Sequence, residues 1–438
     1  MSASTGGGGA SPHAPPQIRR RVEAGLARRY GRERRFRACG LLSVVFGVLF
    51  LGFLVFTIVR NGYSAFRQAE LRLDLQLDSV TLGLGDRPDA GALAGADYQA
   101  VVKAAMGRMF PEVTERRERR DLGALVSASS AFLLRDRVLA EPDLVGRSVS
   151  LWLPADDAVD LLLKGHVGRS RDSGGKLTTA QLAWLDRLVA EGRAALRFNT
   201  AFFSNGDSRE PELAGIWGAT KGSFFMLLVT LALSFPLGVA AAIYLEEFAP
   251  RNRWIDFLEV NINNLAAVPS IVFGLLGLAV FIDFLGLPRS SSLVGGLVLA
   301  LMTLPVVIIA SRAAIKAVPP SVREAALGIG ASPMQTVFHH VLPLALPGML
   351  TGAVIGMARA LGESAPLLMI GMVAFIVDIP ATPLDPATAL PVQIYLWADS
   401  PERAFMERTS AAILVLLGFL LVMNITAVWL RSRFERRW

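Results

Sequence analysis

The sequence is poor in cysteine, histidine and charge. It contains one cysteine, Cys39, and four histidines, and charged residues occupy only 18% of its 438 positions. A single cysteine excludes a disulfide within the chain and a cysteine-based metal site. The histidines do not stand at metal-ligand spacing from nearby carboxylates, and we interpret the adjacent His339 and His340 as a surface or interfacial pair. We therefore expect neither a metal nor a cofactor.

Catalytic and nucleotide-binding motifs are also missing. No nucleophile, base and orienting group stand out together, which argues against an enzyme. Gly174-Gly175-Lys176 is the one suggestive segment, but a phosphate-binding loop needs glycine at position 170 and serine or threonine at position 177. Those positions hold Ser170 and Leu177. We interpret the segment as a flexible turn.

Apolar residues, by contrast, make up 53% of the chain and form long runs. Residues 38–59 carry no charge over a length that can cross a bilayer. Because no small-residue cleavage site ends this run, we favour an uncleaved transmembrane anchor over a cleavable signal peptide. The remaining runs give six predicted spans in total: Gly222–Leu245, Val260–Ile282, Ser290–Ala310, Val341–Val377 and Thr409–Leu430.

Positive charge is concentrated near the N-terminus. Residues 1–37 begin as a low-complexity segment and then contain nine arginines against two glutamates, a surplus equal to the net charge of the whole chain. We expect a disordered basic tail there. Basic residues also mark 246–253, 312–340 and the tail 431–438, so the positive-inside rule predicts that both termini are cytoplasmic. The basic residues indicate a lipid bilayer as partner and not nucleic acid.

Residues 60–215 differ in character, because acidic and basic residues interleave and no long apolar run occurs. Alternating leucines from Leu71 to Leu77 predict a half-buried strand. At this length the segment can build its own core, and we predict an α+β extracytoplasmic domain between spans 1 and 2, without a role that we can assign. Further predicted helices and strands are Asp97–Phe110, Leu122–Val138 and Thr178–Ala195, and Val149–Leu153 and Leu196–Phe203.

A polar, basic loop at 312–343 separates two apolar runs. Pro319-Pro320-Ser321 breaks the chain and offers a cap, so that Val322–Ile329 can form a short helix. Gly330 and Pro333 end that helix, because glycine tolerates positive φ and proline disfavours helix at the preceding residue. Two spans would hold the helix at the membrane surface. The pattern predicts a docking device, with a generic amphipathic connector as the alternative.

This loop resembles the EAA loop of ABC-importer permease subunits. The resemblance rests on Glu324-Ala325-Ala326, then Gly330, then Leu342-Pro343. In that family the loop helix sits in a groove of a separate ATPase and transmits its motion to the spans. The resemblance therefore implies that these residues couple the chain to an ATPase. It also implies a transporter subunit without its own nucleotide site.

Two charges, Arg359 and Glu363, interrupt an apolar run and stand four residues apart, on one face of a helix. A charge near the bilayer centre is costly and normally faces a bundle interior or a water-filled path. The functional interpretation is that Arg359 offers its planar donors to an oxyanion while Glu363 holds it when the path is empty. A self-neutralising pair is the structural alternative. Pro366 predicts a kink or opening of the helix nearby.

Residues 215–430 resemble more specifically the A-type permease of phosphate-specific importers. Similar segments are Tyr244–Pro250, Asn263–Gly277 and, most diagnostically, Arg359–Leu368. The resemblance implies a polytopic α-helical membrane protein of the bacterial inner membrane, with five helices of a type I ABC-importer permease core in 216–430. It implies as partners a C-type phosphate permease subunit, two copies of a cytoplasmic ATPase and an extracytoplasmic phosphate-binding protein. Residues 60–215 depart from the family's short first periplasmic loop.

We therefore expect the permease subunit of an ATP-driven importer of inorganic phosphate. A sulfate or molybdate permease would share the loop but not the Arg359–Leu368 segment. A membrane sensor that uses 60–215 would need a cytoplasmic output domain, and only short basic loops and tails are available there. A secondary transporter would show repeated halves, which we do not find. A homodimer in place of the heterodimer stays open.

Overall fold

The computed structural model describes residues 16–84, 90–169 and 175–434. It divides into two compact units, Met1–Ile58 and Val59–Trp438, which are described separately. The expectations for residues 1–15, for Gly174 and for the last four residues lie outside the described part of the chain.

The first unit consists of most of helix α1, Pro16–Gly62. The helix therefore includes residues 16–37, where we expected a disordered tail. Arginine, alanine and glutamate are good helix formers, and they extend the apolar helix beyond the predicted anchor. In the most apolar stretch of α1, no residue is buried in protein. A helix can expose such residues when lipid surrounds it.

A three-stranded antiparallel sheet forms the centre of the inserted domain, residues 60–215. Its strands are β1 Arg67–Gln76, β2 Ser148–Pro154 and β3 Ala194–Phe198, in the order β2-β1-β3. Leu71, Leu73, Leu75 and Leu77 are fully buried on one face of β1 and after it, which confirms the predicted alternation. The domain's helices are α2 Ala90–Gly95, α3 Tyr98–Met109, α4 Arg116–Gly123, α5 Ser130–Ala140, α6 Asp157–Leu163, α7 Thr179–Ala190 and α8 Thr200–Ser204.

Three predicted elements of this domain are shorter than expected. The helix predicted over Thr178–Ala195 ends at Ala190, and β3 begins at Ala194. The helix predicted over Leu122–Val138 is broken between α4 and α5, where Val126 forms a β-bridge with Ala155. The strand predicted over Leu196–Phe203 ends at Phe198, because the Asn199 side chain accepts a hydrogen bond from Phe202 N and caps α8. Short polar side chains at turns compete with regular pairing in this way.

Long apolar helices build the remainder of the second unit. Among the described residues of the whole chain, five helices, α1 among them, are long and apolar enough to cross a membrane, or six if one bent pair counts as a span. The helices are α9 Trp217–Ile243, α10 Arg253–Ala266, α11 Ser270–Gly277, α12 Ser292–Lys316, α13 Pro320–Gly328, α14 Pro333–Gln335, α15 Leu342–Gly362, α16 Ala365–Met369, α17 Leu390–Ala398 and α18 Arg403–Phe434. Turns of π-helix follow α9 at Tyr244–Phe248 and α11 at Leu278–Phe284, and a third turn at Thr336–Val341 joins α14 to α15.

The apolar runs at 260–282 and 341–377 are not single straight helices. The first is the bent pair, α10 and α11, which meet at an angle of 99°; Pro269 explains the break, since proline disfavours helix at the residue before it. The second ends as a helix at Gly362, ahead of Pro366, and resumes only as the short α16. Pro366 thus lies in the first turn of a new helix and does not kink an existing one.

Small residues allow these helices to approach closely. A side chain at Gly352 would lie 2.2 Å from the Ala310 side chain of α12, and one at Gly274 of α11 would lie 2.7 Å from Pro366 Cα. Such contacts replace the hydrophobic drive that is missing between helices in lipid. They hold α15 against α12, and α11 against the segment that follows Glu363.

Candidate functional site

Helix α13 lies between the ends of two long helices and is tied to both by one arginine. Arg323 Nη2 lies 2.6 Å from Glu247 Oε1, and its Nε lies 3.1 Å from the same oxygen. Arg323 also donates to the carbonyl oxygens of Val318, at 2.9 Å, and Ile315, at 3.0 Å. Glu247 belongs to the π-helical turn after α9, and Ile315 to the last turn of α12. Arg323 therefore links α13 to both helices.

A second cluster of ion pairs fixes the end of α12. Arg312 Nε lies 2.5 Å from Glu246 Oε1, and Arg312 Nη2 lies 2.6 Å from Glu259 Oε1 in α10. The side chains of Arg312 and Glu246 are each 11% exposed, so removal of either partner would leave the other charge buried without compensation. Lys316 adds a looser contact, at 3.3 Å from Glu246. The ends of α9 and α12 and the middle of α10 are thus joined on the same side as α13.

Two of the residues singled out from the sequence are exposed on α13. Glu324 and Ala325 are exposed, whereas Ala326 is buried against the protein. Beside them is an exposed apolar patch made of Leu327, Ile329, Met334 and Phe338. Exposed apolar surface of this kind marks a protein or membrane interaction site.

The other loop residues shape the turn and its base. Gly330 has φ +92°, a conformation that side chains rarely adopt, and it ends the loop helix as its position in the sequence predicted. Leu342 packs into the buried cluster around Val318 and Val337. Pro343 lines an open cleft with Val322 and His340. The structure thus places all six predicted coupling residues in or beside one surface.

Arg359 and Glu363 lie together at the end of α15. Arg359 Nε is 3.7 Å from Glu363 Oε1, and the two side chains are 49% and 24% exposed. Glu363 is the first residue beyond the helix, with extended backbone. Both functional and structural interpretations predict this pairing, so the distance alone does not separate them. The exposure of Arg359 leaves its guanidinium accessible to a further anionic group.

Among the described residues, no group of three or more histidine, cysteine, aspartate or glutamate side chains is placed to hold a metal ion. The ion pairs of Arg312 and Arg323 were not anticipated from the sequence. Their partners lie 66 and 76 residues away along the chain. The sequence signal for these pairs was weak: Glu246 and Glu247 follow an apolar run on the side of the membrane where the positive-inside rule predicts basic loops.

Comparison with known proteins assigns the family. Residues 234–438 match the family model described as "Binding-protein-dependent transport system inner membrane component". The "Probable ABC transporter permease protein YqgI" of Bacillus subtilis is 31% identical over 265 residues, which cover 57% of this chain and 88% of that protein. The chain belongs to the ABC-transporter permease family. The permease core and the additional inserted domain confirm the fold class predicted from the sequence.

Several relatives of this permease are named for phosphate. "Phosphate transport system permease protein PstA" of Mycobacterium leprae is 33% identical over 262 residues, 58% of this chain and 84% of that protein. "Phosphate transport system permease protein PstA 1" of Mycobacterium tuberculosis H37Rv is 32% identical over 223 residues, 51% of this chain and 71% of that protein.

Two further similarities complete the comparison. Residues 23–173 match a domain of unknown function, DUF3333. Among solved structures, the MetNI methionine ABC transporter in an inward-facing conformation is similar at 18% identity and a TM-score of 0.42, over 50% of this chain and 98% of that chain.

Proposed function

We propose that this permease is the A-type membrane subunit of an ATP-driven importer of inorganic phosphate. The observation that carries the proposal is the Arg359–Glu363 pair at the end of α15, within a segment that resembles the phosphate-specific subfamily. The names of the mycobacterial relatives support the same substrate. The proposal includes an inner-membrane location with both termini in the cytoplasm and the inserted domain outside.

The coupling surface of the proposal consists of Glu324, Ala325, Ala326, Gly330, Leu342 and Pro343 together with the exposed apolar patch. A cytoplasmic ATPase, present in two copies, docks on the exposed face of α13. When ATP binding brings the two ATPases together, α13 moves, and Arg323 carries that movement to the ends of α9 and α12. The permease itself hydrolyses nothing.

The substrate path of the proposal runs past Arg359. A guanidinium offers several N–H donors in a plane and suits the oxygens of a phosphate ion. Glu363 neutralises Arg359 while the path is empty and competes with the anion, which keeps affinity low enough for release. A C-type permease subunit supplies the other half of the path, and an extracytoplasmic binding protein delivers phosphate to it.

Uptake of radiolabelled phosphate by phosphate-starved cells tests the proposed substrate. Cells without the permease should lose high-affinity phosphate uptake and keep sulfate and molybdate uptake, and the intact chain should restore the loss. A defect confined to sulfate or molybdate would reject phosphate as the substrate. In the same cells, Glu324→Ala should leave the complex assembled but inactive, and normal uptake by that variant would reject the coupling role.

A further inference from the structure

The inserted domain meets the beginning of α18 at a cluster of buried charges, which we name the ionic joint: Asp160, Lys164, Glu212, Glu407 and Arg408. Lys164 Nζ lies 2.6 Å from Asp160 Oδ2 and 3.0 Å from Glu407 Oε1. The side chains of these three residues are between 5% and 11% exposed. Lys164 follows α6 of the inserted domain, whereas Glu407 lies in the first turns of α18, so the contact joins the domain to a membrane-spanning helix.

Residues 205–216 lie between these two elements and contribute Glu212. Arg408 is buried and donates from Nη1 to the Ala214 carbonyl oxygen at 2.6 Å. The Gln68 side chain, from β1, donates to the Glu212 carbonyl oxygen at 2.9 Å. Glu212 itself is 5% exposed, and its Oε2 has no hydrogen-bond partner among the described residues.

The charges of the ionic joint do not balance. Three buried carboxylates, on Asp160, Glu212 and Glu407, face two buried cations, on Lys164 and Arg408. The cavity between them measures about 10 Å³, so at most one water molecule fits there. Asp157 also lines this cavity, but it has its own cationic partner in Lys176. A surplus negative charge so far from water is costly, and uptake of one proton removes it.

Glu212 is the group that binds this proton. Asp160 and Glu407 each contact Lys164, and Asp160 Oδ1 also accepts a hydrogen bond from Ala69 N at 2.7 Å. Glu212 lacks such partners at one carboxyl oxygen. Burial raises the pKa of Glu212 to about 7; the nearby Asp156 and Glu210 act in the same direction and Arg408 opposes them.

The other titratable groups near the joint are Asp156, Asp157, Glu210 and His166. Burial raises the pKa of Asp156 to about 6, Asp157 lies 3.7 Å from Lys176, and Glu210 is exposed. His166 Nε2 is 2.8 Å from Ser64 Oγ and 4.0 Å from Glu407 Oε2, with a side chain 38% exposed. A protonated His166 is thus the rival source of the missing positive charge.

We propose that the ionic joint is a proton-controlled contact, in which protonated Glu212 holds the inserted domain on α18 and loss of that proton loosens the contact. In a loosened joint Glu212 meets water and has the ordinary pKa of a glutamate. The closed joint binds the proton more tightly, so it is favoured at low pH. It weakens as the pH rises from the ordinary pKa of a glutamate through the raised pKa of about 7. This inference does not depend on the transported substrate.

Amide hydrogen exchange of the full chain in lipid nanodiscs tests the proposal at pH 5.5 and pH 8. After correction for the intrinsic pH dependence of exchange, protection of α6 and residues 205–216 should be about 30-fold lower at pH 8. Glu212→Gln, which mimics the protonated side chain, should keep the acid level of protection at both pH values. Glu210→Gln, an exposed neighbour, and His166→Gln should behave as the wild type does.

Three outcomes would overturn the proposal. They are wild-type protection that does not change with pH, a Glu212→Gln variant that retains the full pH dependence, and a His166→Gln variant that alone abolishes it, which would place the proton on the imidazole. Infrared titration of the wild-type chain provides a measurement that needs no folded variant. A buried protonated carboxyl group should lose its C=O stretch near neutral pH, and the absence of such a titration would also contradict the proposal.

Discussion

The ion pair between Arg323 and Glu247 allows a quantitative prediction of how firmly α13 is attached. Replacing Glu247 by Gln keeps the size of the side chain but removes the charge that Arg323 Nε and Nη2 contact. The two side chains are 12% and 25% exposed, so the pair is only partly screened by water. Charge-assisted, two-point contacts of this kind contribute about 1–2 kcal/mol. We expect that amount to be lost from the attachment of α13.

A loss of that size corresponds to about a 5- to 30-fold increase in the local opening of α13. Amide hydrogen exchange of α13 in the purified permease measures it directly. Glu259→Gln is the matched control, because Glu259 pairs with Arg312 of α12 and not with α13. Global stability should change little in either variant, since α13 contributes one buried residue to the core.

The double variant Arg323→Gln/Glu247→Gln separates the pair from its surroundings. Arg323→Gln also removes hydrogen bonds to Ile315 and Val318, so it should open α13 more than Glu247→Gln does. Adding the second change should cost little more, because the contact is already gone. Exchange of α13 that stays at the wild-type rate in Glu247→Gln, or effects that simply add in the double variant, would refute the tie between α13 and α9.

Two glycines and one cation give further predictions. Gly330→Ala should destabilise the loop by about 1–2 kcal/mol, because φ is +92° there. Gly328→Ala, two residues earlier and also in open space, should be neutral or slightly stabilising. Thermal melting of the two variants compares their stabilities. Gly274→Ala should lower the melting temperature clearly, because the added Cβ would lie 2.7 Å from Pro366 Cα, and Gly418→Ala, with open space around it, is its control. Lys316→Gln should leave stability within about 0.5 kcal/mol, since the Lys316 side chain is 62% exposed.

Patterns of local origin were predictable from the sequence. Alternating leucines predicted β1, because successive side chains of a strand face opposite sides. Apolar runs predicted most of the membrane helices, because their length is set by the bilayer. Gly330 predicted the end of the loop helix, because positive φ favours glycine. In each case the deciding interaction spans only a few residues.

Features that depend on distant segments were not predictable. Glu247 and Arg323 meet only because α9 and α12 pack side by side, and Glu212 is buried where α18 packs against the inserted domain. The bend between α10 and α11 had a local signal in Pro269, but the hydropathy of the run outweighed it. The run after Glu363 was also expected to continue one long apolar stretch. This expectation was wrong because apolar composition does not distinguish one long helix from a helix followed by a second, short helix.

ATP-dependent uptake of radiolabelled phosphate into proteoliposomes tests the central proposal most directly. The vesicles would contain the permease, a C-type permease subunit and the ATPase, with the phosphate-binding protein supplied on the outer side of the importer. The account predicts ATP-dependent phosphate uptake by the wild type and its loss in an assembled Arg359→Ala complex, while Arg289→Ala, an exposed arginine, retains it. Phosphate uptake by the Arg359→Ala complex at the wild-type rate would contradict the account, as would a wild-type complex that hydrolyses ATP and moves another oxyanion but no phosphate.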